Sequence, residues 1–172
     1  MAGKNLFMHL NGLGVEAYTL FRVQLEGEYL TLDHIKPNAF RSDKLIQQYK
    51  IKAADILAFD IVKESELKNK SVLGRGAAGA LLFGPVGAVL GGLSAVNKTK
   101  IKSTLAISFI PSAGGDPKTI VFDAEPPSWA APNLKTVNNI KAELNRIPKS
   151  EAAAAYLGIA LGNIGTDGSI TL

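Results

Sequence analysis

Residues 16–34, EAYTLFRVQLEGEYLTLDH, decide the fold class. Tyr18, Leu20, Val23, Leu25, Tyr29, Leu30 and Leu32 place aliphatic, β-branched and aromatic side chains on both sides of Glu26-Gly27-Glu28. Two such runs around a glycine turn read as an antiparallel pair of strands. The alternation falters over residues 19–21, which predicts a bulge there.

Working outward, Pro37 and Asn38 mark a loop. Residues 45–51 and 56–62 read as two more short strands, separated by Lys52-Ala53-Ala54-Asp55. Residues 104–110, TLAISFI, alternate with Leu105, Ile107 and Phe109 on one face. The proline- and glycine-rich residues 111–117 turn the chain, residues 119–122 return as a strand, and Pro126-Pro127 closes the hairpin. Over residues 133–147, Leu134, Val137, Ile140, Leu144 and Ile147 recur three or four apart, one apolar helical stripe that Pro148 ends. Residues 150–157 predict a short alanine-rich helix stopping at Gly158, and the glycine-rich remainder reads as a loosely ordered tail.

Composition limits the chemistry. The 172 residues are 47% hydrophobic and 20% charged, enough for one domain with a real core. No cysteine is present, which excludes disulfides, thiolate catalysis and sulfur-built zinc sites. The first eleven residues carry no long apolar run, so no signal peptide is expected. The net charge is +4, but no acid occurs between Glu66 and Asp116. That stretch holds Lys68, Lys70, Arg75, Lys98, Lys100 and Lys102, a basic collar on a body of slightly negative charge. Such a collar attracts anions, or it is a solvated face that keeps an apolar segment soluble.

The segment it encloses, residues 71–97, reads SVLGRGAAGALLFGPVGAVLGGLSAVN. Gly76, Ala80, Gly84, Ala88 and Gly92 recur every four residues, with Gly87, Gly91 and Ala95 alongside. That spacing lets helix backbones approach closely. Leu81, Leu82, Phe83, Val86, Val89, Leu90 and Leu93 supply apolar contact. If strands on both sides belong to one domain, both ends of the insert return to it. Gly84-Pro85 breaks a helix near the middle, so a helical hairpin over residues 72–97 is expected. Its arms of about ten residues are about 15 Å long, half of a hydrocarbon core of about 30 Å. The hairpin is expected to enter one leaflet, to associate with a second copy, or to pack on its own domain. Lys98, Lys100 and Lys102 would face an anionic surface beside it.

The succession of strands, closing amphipathic helix and insert resembles the pleckstrin-homology-like (PH-like) domains of bacterial and prophage proteins. The specific part of the likeness is LGRGAAG at residues 73–79 followed by FGPVGAVLGGL at residues 83–93. The resemblance implies an antiparallel β-sandwich or barrel with a C-terminal capping helix, and brings no settled activity with it. Folds of this type host lipid binding, peptide binding and scaffolding alike. The basic pattern that recognises phosphoinositides between the first two strands is absent, Arg22 being the one lysine or arginine in residues 16–34.

No constellation for catalysis emerges. His9 and His34 lack metal-ligand spacing. The carboxylate pairs Asp55/Asp60 and Glu64/Glu66 fit a solvated strand face. Gly74-Arg75-Gly76-Ala77-Ala78-Gly79 has dinucleotide-binding spacing, but lysines stand where the preceding strand and the later acid belong. The lysine cluster is not interleaved with stacking aromatics, so nucleic acid is not an expected partner. The sequence therefore predicts an α+β protein with a domain over residues 12–147, interrupted at 72–97, and a short helix and tail over 148–172. It is expected to be a non-enzymatic, cofactor-free cytoplasmic module, peripheral to membrane or self-associating. A soluble assembly protein, such as a phage-encoded one, is the alternative.

Overall fold

A computed structural model describes residues 5–38, 42–63, 102–125 and 134–162, with side chains through Gly158. The strands are β1 (Leu6–Asn11), β2 (Leu20–Glu26), β3 (Tyr29–Lys36), β4 (Lys44–Lys52), β5 (Ile56–Lys63), β6 (Ser103–Phe109) and β7 (Lys118–Asp123). Two helices follow, α1 (Leu134–Leu144) and α2 (Glu151–Gly162). All strand pairs are antiparallel, in the order β4-β3-β2-β1-β7-β6-β5.

That order has a geometric consequence. β4 and β5 are consecutive in the chain, yet they form opposite edges of the sheet. Only a 3-10 turn, Ala53–Asp55, joins them. Laid flat, six strand spacings would hold the edges about 29 Å apart, whereas four residue steps reach at most about 14 Å. The sheet must therefore curl until its edges approach, which makes it a β-sandwich. The corner is tied down on every side. Ala53 N–H donates to Glu28 O of the β2–β3 turn at 2.8 Å, Ile110 N–H to Asp55 O at 3.0 Å, and Ser150 N–H to Ala54 O at 2.9 Å. Lys149 Nζ donates to Ile56 O at 2.7 Å, and burial pushes the pKa of this amine down.

The concave face holds the core. Phe7, Phe21, Val23, Leu30, Leu32, Phe59, Leu105, Ile107, Ile120 and Phe122 pack there with Val137, Ile140 and Leu144 of α1. Each large side chain so buried contributes about 1.5–3 kcal/mol, and conformational entropy offsets most of the sum. The β2–β3 pairing follows the expected turn, with Glu26 opposite Tyr29. Positive φ at Gly27, and not at Glu28, gives the hairpin the type II′ form that glycine at that place allows.

Several expectations need correction. The sheet begins at Leu6, before residue 12, and the strand left out of the reading is its central one. Irregular register occurs between β1 and β7, β3 and β4, and β5 and β6, not at residues 19–21. On β6 both faces are buried, because Thr104, Ala106 and Ser108 are covered as fully as Leu105 and Ile107. Leu134 is exposed, so the buried stripe of α1 starts at Val137. α2 runs through Gly158 to Gly162. Ser150 starts it, its Oγ accepting from Ala153 N–H at 3.2 Å, a capping pattern. Ala153, Tyr156 and Leu157 hold it against Leu57 and Ile110, and that packing carries the helix past a residue of poor propensity.

His9 joins the central strand to the loop before β2. It is buried, with its ring 5.7 Å from that of Phe21 and 5.9 Å from that of Phe122. Nδ1 donates to Glu16 O at 3.3 Å, and Nε2 accepts from Leu13 N–H at 3.3 Å. The imidazole is therefore neutral, with its proton on Nδ1. Burial pulls its pKa below the ordinary 6.5, backbone hydrogen bonds opposing the shift and His34 adding slightly to it.

Two outcomes are expected. Ala53 is wholly buried at the corner, so Ala53→Leu should cost about 1–3 kcal/mol through overpacking; an unchanged urea midpoint would show that the corner has slack. The second concerns pH. Because His9 titrates lower folded than unfolded, its stabilisation is complete above about pH 6.5 and is lost as pH falls through the depressed folded value. Wild type should lose stability more steeply than His9→Gln between pH 7 and 5, and parallel denaturation curves would contradict the neutral assignment.

Candidate interaction surface

The insert leaves from the end of β5 and returns at the start of β6. Lys63 and Ser103 are direct partners across the antiparallel ladder, which places their Cα atoms about 4.5–5.5 Å apart. Whatever residues 64–102 do, their two roots sit side by side. The root is built from short bonds. Ser103 Oγ donates to Glu125 Oε1 at 2.7 Å, Ala124 N–H to Ser103 O at 3.1 Å, and Glu125 N–H to Asp123 Oδ1 at 2.8 Å. Burial, reinforced by the neighbouring Glu125, raises the pKa of Asp123 against the bond from Glu125 N–H. Lys63 and Lys102 are exposed beside these acids, so the root is charge-balanced rather than basic throughout.

Of the interaction residues singled out in the insert and its lysine flank, Lys102 alone lies among those described. Gly76, Ala80, Gly84, Ala88, Gly91 and Gly92, the apolar set from Leu81 to Leu93, and Lys98 and Lys100 all lie outside them. The expected hairpin over 72–97, Pro126-Pro127 and the tail after Gly162 do too.

Two concave regions were not anticipated. One, of about 630 Å³, lies beside the corner, where Lys52 and Asp55 face Ser112, Ser150 and Glu151. The other, of about 480 Å³, is apolar and lies on the convex face between Met8, Tyr18, Leu20, Ile35, Pro37 and Ile46. Tyr18 stands at its rim with φ of 66°, a left-handed conformation rare for an aromatic residue. Tyr18 N–H donates to His9 O at 2.6 Å and His9 N–H to Thr19 O at 2.8 Å, which hold that conformation. The only sequence signal was weak: Tyr18 precedes an apolar strand, and its backbone angle is set by contacts to a strand not recognised.

Among the described residues no set of three or more His, Asp or Glu side chains is placed to hold a metal ion. Asp60 meets Lys141 Nζ at 2.7 Å, but both are partly solvated, and such a pair contributes at most about 1 kcal/mol.

Comparison with known proteins adds a family. No curated protein and no solved structure matches the sequence. A family model described as a glycine zipper containing PH domain matches residues 24–110, just over half of the chain. The match runs from within β2 to the residue after β6, taking in the four-residue spacing of the insert and the strands that flank it. With the antiparallel sheet curled by its corner, this places the protein in the family of PH domains that contain a glycine zipper.

Proposed function

We propose that this protein is a non-catalytic interaction module whose glycine-rich insert docks the PH-like domain onto an anionic membrane surface. The observation that carries the reading is the pairing of Lys63 with Ser103. An apolar, uncharged segment rooted at one point can leave the domain and return without disturbing the sheet, as a hairpin dipping into one leaflet requires. Among the described residues no helix is long and apolar enough to cross a membrane. Contact would come from Leu81, Leu82, Phe83, Val86, Val89, Leu90 and Leu93 at the surface. Lys98, Lys100 and Lys102 would add about 1 kcal/mol each near anionic lipid. The protein would work in the cytoplasm, with no cofactor, and α1, whose Val137, Ile140 and Leu144 join the core, would cap the sandwich.

A second reading rests on the same four-residue spacing of small side chains. Gly76, Ala80, Gly84, Ala88, Gly91 and Gly92 would let two hairpins pack closely in water as well as in lipid. The protein would then be a soluble assembly module of bacterial or phage origin.

Sedimentation with anionic liposomes, alongside the mass in solution, separates the two. In the membrane reading binding falls between low salt and 0.15 M, where the Debye length is about 8 Å. Lys98→Gln, Lys100→Gln and Lys102→Gln together should reproduce that loss at low salt. No binding at any salt would discard the membrane reading in favour of assembly. For close packing in either solvent, Gly84→Leu or Gly91→Leu should cost about 1–3 kcal/mol at the contact. Liposome binding and solution mass both unchanged in these variants would remove the packing argument.

A further inference from the structure

Three of the four large hydrophobic side chains exposed among the described residues gather at one place. Tyr18 is 38% exposed, Leu45 52% and Ile46 50%. Tyr18 and Ile46 line the apolar groove, and Leu45 is paired with Ile35 at its floor. Beside the groove runs β4, nine residues long and exposed along most of its length. It pairs with β3 on one side, and among the described residues no strand pairs with the other. Half of its backbone donors and acceptors point away from β3, a template for an added strand. A bulge at Ile46 ends the regular ladder, which runs from Gln47 to Lys52 opposite Tyr29 to His34.

Charge selects what such a strand could be. Lys44, Lys50 and Lys52 are exposed on β4, with Lys36 at the end of β3, and no acid occurs from Lys44 to Ala54. Of the carboxylates near β4, Asp33 is engaged by Gln48 Nε2 and Asp43 by Arg22 Nη2, each at 2.8 Å, while Asp55 and Glu151 lie at the corner beside Lys52. A second copy fits less well, because its own β4 brings the same lysines and no carboxylate from Lys44 to Ala54 to meet them. A lipid surface would leave the outward N–H and C=O groups without strand partners.

We propose that the free edge of β4 and the groove beside it form a docking site for an extended acidic segment of a partner protein. The segment adds antiparallel to Gln47–Lys52, its carboxylates meet Lys50 and Lys52, which share a face of the sheet with the groove, and one apolar side chain enters the groove between Tyr18 and Ile46. Main-chain bonds supply affinity, and the lysines and groove supply selectivity.

The test uses the full chain and a short synthetic peptide of alternating glutamate and valine carrying one leucine. Adding it should shift residues 47–52 and protect from hydrogen exchange those of their amides that point away from β3. Lys50→Glu with Lys52→Glu should weaken binding about tenfold, because two cross-strand charge pairs turn from attraction to repulsion. Both lysines are exposed, so the double variant should keep the wild-type unfolding midpoint. Ile46→Ser should weaken the leucine peptide while leaving an all-valine peptide unaffected. The proposal is overturned if the charge-reversed variant binds equally well, or if a peptide with lysine in place of glutamate does. It is also overturned if the β4 amides that point away from β3 are already protected without peptide, since the chain itself or a second copy then occupies the edge.

Discussion

The three-residue link between β4 and β5 is the constraint on which the rest depends. β4 and β5 run in the same sense, at the two ends of a seven-strand antiparallel order. They are in effect one long strand bent at Ala53–Asp55 that serves both edges of the sheet. Bending it closes the core, because no flat arrangement satisfies the link. A small residue is needed where the bend is tightest, and Ala53 is fully covered there. The carbonyls freed by the bend find donors from three separate parts of the chain: the 3-10 turn's own end, the start of the loop after β6, and the Lys149-Ser150 approach to α2. The last of these fixes the start of α2, which Ala153, Tyr156 and Leu157 then pack against Leu57 and Ile110.

Much of the sandwich was legible because its signals are local. The glycine turn at residue 27, the paired runs around it, and the proline- and glycine-rich turn before β7 each encode their hairpin within a few residues. β1 was not legible, and the reason is specific. LFMHLN is six residues long, its apolar side chains lie on both faces, and one core position is a histidine. A strand central in its sheet is buried on both sides, so it loses the alternation by which strands are recognised. His9 reads as polar in sequence, yet Phe21 and Phe122 make it a core residue, and its two bonds to the loop make it a brace for that loop. The exposed Leu134 is the opposite case: it has the right spacing but no neighbour to meet.

The candidate surfaces divide along the same line. The insert announces itself because a four-residue repeat of small side chains is a pattern in one dimension. The groove had no such pattern. Met8, Tyr18, Leu20, Ile35, Pro37 and Ile46 come from four strands and the loops between them, and only the register brings them together. The bulge that displaces Ile46 depends on the partner strand as well, so nothing in residues 44–52 alone reveals it.

Register also relates the two surfaces. Val62 pairs with Thr104, Thr104 with Asp123, Asp123 with Met8, and Met8 with Leu20. Directly paired residues share a face of the sheet, so the line from Val62 to Leu20 stays on the convex side. Val62 adjoins the root of the insert, and Leu20 lines the groove. Four strand spacings, about 19 Å along the curved sheet, separate them. The groove and the root of the insert thus lie on the same face of the sheet, while the lysine-bearing end of β4 runs into the corner, beside the start of α2. In that arrangement the corner sets the curvature of the sheet, and through it the angle between the two surfaces.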